Sequence, residues 1–112
     1  MYLLDTNIWL ERMLDQEKSE EVGRFLDTIP SSQLYMTDFS LHSIGVILHR
    51  LHKQTAFLIF IQDAFMDGAV GLVSLEPENM ERLVAVIDHF GLDFDDAYQY
   101  VVAETYDITI IR

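Results

Sequence analysis

No cysteine occurs among the 112 residues, so disulfides and thiolate metal sites are excluded. Basic residues are scarce. Seven Lys and Arg stand against nineteen Asp and Glu, a formal net charge of −12. A field of that sign repels nucleic acid, and any chemistry on nucleic acid here needs divalent cations to reverse the local sign. It also favours a basic protein partner, although solubility alone accounts for a net charge of this kind. The N-terminus has no basic region ahead of an apolar core and no cleavage site, so no secretion signal is read. No uninterrupted apolar run is long enough to span a membrane, because the most apolar stretch, 55–75, is broken by Gln62, Asp63, Asp67, Gly68 and Gly71. These absences leave a cytoplasmic protein without membrane association as the expectation. No repeat and no low-complexity segment is found.

What is present is half hydrophobic, which excludes a disordered chain. The length suits one domain, 1–112, with one core. The chain opens on Tyr2-Leu3-Leu4, an apolar run too short to alternate faces, which reads as a buried strand. The run ends abruptly at Asp5. In open α/β sheets ligands bind outside the carboxyl ends of the strands, so a carboxylate there is placed for chemistry. Asp is also a favoured helix N-cap, and on Asp5 alone the two readings are evenly matched.

Further along, Ile8, Trp9, Leu10, Met13 and Leu14 lie near helical spacing, and Ser19 is the expected cap of a second helix with Val22, Phe25, Leu26 and Ile29 buried. Pro30-Ser31-Ser32 ends it, and residues 33–36 read as a second strand leading to Thr37-Asp38. A third helix follows, apolar on more than one face, with small residues Ser40, Ser43 and Gly45 that admit a close neighbour. His49 and His52 are three apart on it, but no HExxH or comparable ligand set accompanies them, so they read as surface or helix-end residues. A fourth helix carries Phe57, Leu58, Phe60, Ile61, Ala64 and Phe65 as its expected buried stripe, a core or dimer surface. Residues 70–75 read as a third strand. A fifth helix starts at Glu76-Pro77, with Leu83, Val84, Val86 and Ile87 as its buried side. Gly91 ends it. Asp93, Asp95 and Asp96 open a sixth helix, and residues 108–111 form a β-branched fourth strand. Strands alternating with helices predict an α/β fold, a three-layer α/β/α sandwich around a short, mainly parallel sheet.

Parallel topology brings the carboxyl ends of the strands to one edge. Asp5 follows the first strand and Asp38 the second, and Asp93, Asp95 and Asp96 open a helix that projects over the same edge. Carboxylates converging there repel one another unless a cation sits between them. Oxygen ligands suit Mg²⁺ or Mn²⁺ rather than zinc, and an ion so held activates water and stabilises a phosphodiester under attack.

The opening YLLDTNIWLERML resembles the start of a PIN domain, the fold of VapC-type toxin ribonucleases. Phe94-Asp95-Asp96-Ala97 resembles that family's Asp-Ala signature, and MTDFSLHSIGVIL resembles the segment between the two. The resemblance covers essentially the whole chain and implies three or four acids holding Mg²⁺ or Mn²⁺ for RNA cleavage. It assigns Asp5 and Asp96 as catalytic metal ligands, with Asp93 and Asp95 as weaker ligand, supporting or capping residues. Thr6 and Asn7 match positions that support the first acid. Alignment from Thr37 puts Ser43 where the family usually has a ligating Glu, and Asp38 is the nearest substitute. The family's fourth strand usually runs into a Thr-x-Asp turn, which this sequence, ending at Arg112, is expected to lack.

Three readings follow. The first is a Mg²⁺/Mn²⁺-dependent endoribonuclease, the toxin of a toxin–antitoxin pair, with RNA as substrate, a basic antitoxin as partner and a homodimer as assembly. The second is a catalytically inactive PIN-like module that acts by protein binding, to which Ser43 and the short end point. The third, a response-regulator-like receiver, ranks low, because the acids are distributed differently and the last strand ends Ile110-Ile111-Arg112 without a strand-end lysine.

Overall fold

The structure is a computed structural model that describes residues 1–15 and 17–112. Four short strands, β1 (Tyr2–Leu4), β2 (Leu34–Thr37), β3 (Gly71–Val73) and β4 (Thr109–Ile111), form one sheet in the order β3-β2-β1-β4. All three pairings are parallel. The α-helices are α1 (Thr6–Met13), α2 (Ser19–Asp27), α3 (Asp38–Arg50), α4 (Gln54–Ile61), α5 (Met80–Phe90) and α6 (Phe94–Tyr106). A π-helical turn, Gln62–Met66, continues α4.

The sheet separates two cores, and β1 shows why. Successive strand residues point to opposite faces. Leu3 packs with Leu83, Val86, Val101 and Val102 of α5 and α6, and Leu4 packs with Trp9, Met36, Ile44 and Phe60 on the other side. Both leucines are fully buried. This is the predicted three-layer α/β sandwich, with all of its parallel strands delivering their carboxyl ends to one edge. Among the described residues no helix is long and apolar enough to cross a membrane.

Local chemistry sets the element ends. Gly91 closes α5 in the left-handed conformation (φ 64°), where glycine meets no Cβ penalty. Gly71 lies so close to the Tyr35 ring that a Cβ there would come within 2.6 Å of it. The small residues of α3 do admit neighbours: Gly45 faces the Phe57 ring of α4.

Several local expectations are corrected. Ser19 does not cap α2. Its hydroxyl bonds Arg12 across the α1–α2 turn, and Lys18 is the cap residue. The fifth helix is preceded by a 3-10 turn, Pro77–Asn79, in which Glu76 N donates to Asn79 Oδ1 at 2.8 Å. Leu58 and Val84 belong to no core, being 67% and 55% exposed. β2, β3 and β4 begin or end a residue or more away from the apolar runs, because pairing partners rather than hydrophobicity decide where a ladder stops, whereas β1 keeps its expected bounds.

Candidate active site

Asp5 ends β1. Its N–H donates to the Ile111 carbonyl at 2.9 Å, so the β1–β4 ladder runs up to this residue. Its Oδ1 accepts from Asn7 N at 3.1 Å. Asp5 therefore caps α1 and stands at the carboxyl edge of the sheet, only 9% exposed.

Asp93 is the N-cap of α6, its Oδ1 accepting from Asp96 N at 2.8 Å. That bond fixes the first turn, which presents Asp95 and Asp96. Burial raises the Asp96 carboxyl above the usual carboxylate range. Repulsion from Asp93, Asp5 and Asp95 adds to the rise, and the Arg112 guanidinium opposes it. Residues from the two ends of the sequence thus share one edge, and Asp96 feels Asp5 there. Among the described residues the Asp96 carboxylate makes no hydrogen bond.

Asp95 is held differently. Its Oδ2 accepts from Thr6 Oγ1 at 3.2 Å and its Oδ1 from Gln99 Nε2 at 3.1 Å. Behind Thr6 lie two more buried hydroxyls, Ser40 Oγ at 2.6 Å and, 3.0 Å beyond it, Thr37 Oγ1.

The remaining candidates make other contacts. Asp38 Oδ1 accepts from Tyr98 OH at 2.7 Å and from Phe39 N at 2.8 Å, and Asp38 is not among the charges acting on Asp96. Tyr98 OH in turn accepts from Leu75 N at 2.9 Å. Burial first, and then Asp38, push the Tyr98 phenol up to about 12, against the opposing Leu75 amide. Ser43 lines a separate groove with His42, Val46 and Arg50, so the α3 residue that reaches the acidic edge is Ser40. Asn7 lines a groove of about 390 Å³ beside Asp5, together with Lys18 and Arg112. His49 Nδ1 lies 3.1 Å from Gln54 Nε2 near the end of α3.

Sequence reasoning missed Ser40 and Thr37 as a linked pair, and it missed Gln99, Tyr98 and Arg112. The available signal for Gln99 was its place four residues after Asp95 on one helix face.

Among the described residues no group of three or more Asp, Glu, His or Cys is arranged to hold a metal. The edge does offer two carboxylates whose mutual repulsion a cation would relieve. Mg²⁺ binds through one or two carboxylates and keeps several waters, so Asp5 and Asp96 fit such an ion as an oxygen-only pair.

The sequence model described as "PIN domain" matches residues 2–112. No curated protein matches the sequence significantly. Several solved structures share the fold, including these three. A toxin–antitoxin complex from Klebsiella pneumoniae is 18% identical with a TM-score of 0.78, the match covering 100% of this chain and 85% of that one. VapC20 of Mycobacterium tuberculosis, described as a sarcin-ricin loop cleaving toxin, is 14% identical with a TM-score of 0.79, covering 96% and 85%. FitAcB from Neisseria gonorrhoeae is 18% identical with a TM-score of 0.70, covering 98% and 85%. With a family match spanning nearly every residue and the same fold in these structures, the chain belongs to the PIN domain family.

Proposed function

We propose that this protein is a divalent-metal-dependent endoribonuclease, the toxin of a toxin–antitoxin pair. The observation that carries the reading is the convergence of Asp5 and Asp96, from opposite ends of the sequence, on the carboxyl edge of a parallel sheet. Asp5 and Asp96 would hold Mg²⁺ or Mn²⁺, which when bound supplies an activated water and charge stabilisation at the phosphate. Asp93 holds the turn that presents Asp96, and Asn7 N orients the Asp5 carboxylate. The adjoining groove carries Lys18 and Arg112 beside Glu11 and Glu21, so its charges balance, and an RNA strand would depend on the bound cation for its attraction. The toxin assignment draws on the relatives, two of them described as toxins or toxin complexes. A basic antitoxin complements the net charge of −12. Val46, Leu51, Leu58 and Ile59 are exposed on α3, α4 and the turn between them, and they offer a surface for a homodimer.

RNA cleavage in Mn²⁺ that disappears in Asp5→Asn, while the variant keeps its fold, supports this reading. Asn caps a helix about as well as Asp, so the fold should survive the change. Cleavage that persists in purified Asp5→Asn protein refutes it.

The second reading, an inactive PIN-domain interaction module, is favoured by Ser43, which places no carboxylate at the edge. It predicts a partner complex that forms equally well with Asp5→Asn and Asp96→Asn.

A further inference from the structure

The three buried hydroxyls behind the acids have a direction that hydrogen-bond counting fixes. Each hydroxyl has a single proton to donate. The Asp95 carboxylate has none, so Thr6 donates to it. Thr6 must then accept from Ser40, and Ser40, having given its proton to Thr6, accepts from Thr37. Thr37 Oγ1 is in turn anchored by Ser40 N at 2.9 Å. Every proton in the chain points toward Asp95, an arrangement in which each bond polarises the next. Thr37 and Ser40 are fully buried, as is Gln99, which holds the other Asp95 oxygen.

The ends of this chain are placed with consequence. Thr6 is the neighbour of Asp5, and Asp95 is the neighbour of Asp96. The chain therefore ties the end of β1 to the first turn of α6 and braces both against the β2–α3 junction. We propose that the Thr37–Ser40–Thr6 hydroxyl chain, ending on Asp95, is a positioning device that sets the separation of Asp5 and Asp96. Asp95 is thereby a positioning residue and not a ligand. α3, whose Asp38 carboxylate is engaged by Tyr98 and Phe39 N, contributes to the site through Ser40. The proposal deepens the metal reading given above and rests on it for its functional half.

The experiment compares Thr6→Val, Thr6→Ser and Asp95→Asn with the parent chain in two measurements. One is amide hydrogen exchange at Asp96 and Ala97 without metal. The other is Mn²⁺ binding by calorimetry. Thr6→Val leaves a Ser40 proton and an Asp95 oxygen unpaired. Exchange at Asp96 and Ala97 should accelerate, and the Mn²⁺ Kd should rise, each by about tenfold, while exchange in α5 stays at its parental rate. Thr6→Ser restores the hydroxyl and should return both readings to within about threefold of the parent. Asp95→Asn removes the charge but keeps both hydrogen bonds if the Gln99 amide reverses, so binding should persist. Ser40→Ala interrupts the same chain and replaces Thr6→Val should that variant not fold. Parental exchange and affinity in Thr6→Val overturn the proposal, as does loss of Mn²⁺ binding in Asp95→Asn. A parent chain that takes up no Mn²⁺ overturns the metal reading instead, and the exchange comparison still decides the positioning chain.

Discussion

On the α5–α6 face of the sheet, Leu83, Val86, Val101 and Val102 are buried almost completely against Leu3, and the buried Gln99 of α6 bonds Asp95 through Nε2 while its Oε1 has no partner among the described residues. The α1–α4 face is packed more openly. Leu58 and Ile59 of α4 are exposed, an open cleft of about 530 Å³ runs past Trp9 and Phe60, and the buried Trp9 Nε1 has no partner among the described residues. Exposed apolar residues occur on the α5–α6 side as well, at Val84, Phe90 and Phe94, but the core beneath them is closed. Four helices with apolar residues on several sides leave some of them facing outward. The acidic edge lies where the two faces meet, and α6, from the tightly packed face, carries Asp96. The rigidity of the site is therefore expected to come from the α5–α6 side.

That contrast can be broken at several points. Leu83→Ala opens a cavity in the tight core and should cost about 2–5 kcal/mol in urea unfolding. A loss below about 1 kcal/mol would mean that this core is no better packed than the other. Tyr98→Phe strips a partner from both Leu75 N and Asp38, and should cost about 1–3 kcal/mol.

Asp96→Asn should act in the opposite direction in chelator-treated protein. A carboxyl whose value is raised on folding is harder to ionise in the folded state than in the unfolded one. The fold therefore carries no penalty below the unfolded value. It loses stability as pH rises through the interval between the two values, and the loss is constant above it. Asp96→Asn should raise Tm at neutral pH, with the gain vanishing in acid. A gain that persists unchanged in acid would remove ionisation as its cause.

The smallest effects belong on the surface. Arg82→Ala removes an exposed ion pair with Glu104 at 3.1 Å, and Leu58→Ala removes an exposed side chain. Each should stay within about 0.5 kcal/mol. A large loss at Leu58 would show that the α4 face is covered in solution.

The fold was legible where one physical rule acted alone. Tyr2 to Leu4 could only be a buried strand ending at an acid, and Gly91 could only stop a helix before Asp93. The legibility failed where two partners competed. Ser19 is a good cap by composition, but Arg12 takes its hydroxyl. Leu58 and Val84 fit an apolar stripe, yet periodicity does not say which side of a helix has something to pack against. At the candidate site, Asp5 and the acids at 93, 95 and 96 were legible because strand ends and helix starts are local features, and the PIN resemblance is what singled out Asp96. Ser40, Thr37 and Gln99 were not, because a polar residue at helical spacing looks the same whether it meets water or a buried partner.

The most direct test of the metal reading is a calorimetric Mn²⁺ titration of the parent chain beside Asp5→Asn and Asp96→Asn. One saturable site in the parent, lost in both variants while each keeps its fold, is the predicted result. Binding that survives either substitution, or a parent that binds no Mn²⁺, would contradict a metal centre built on these two acids.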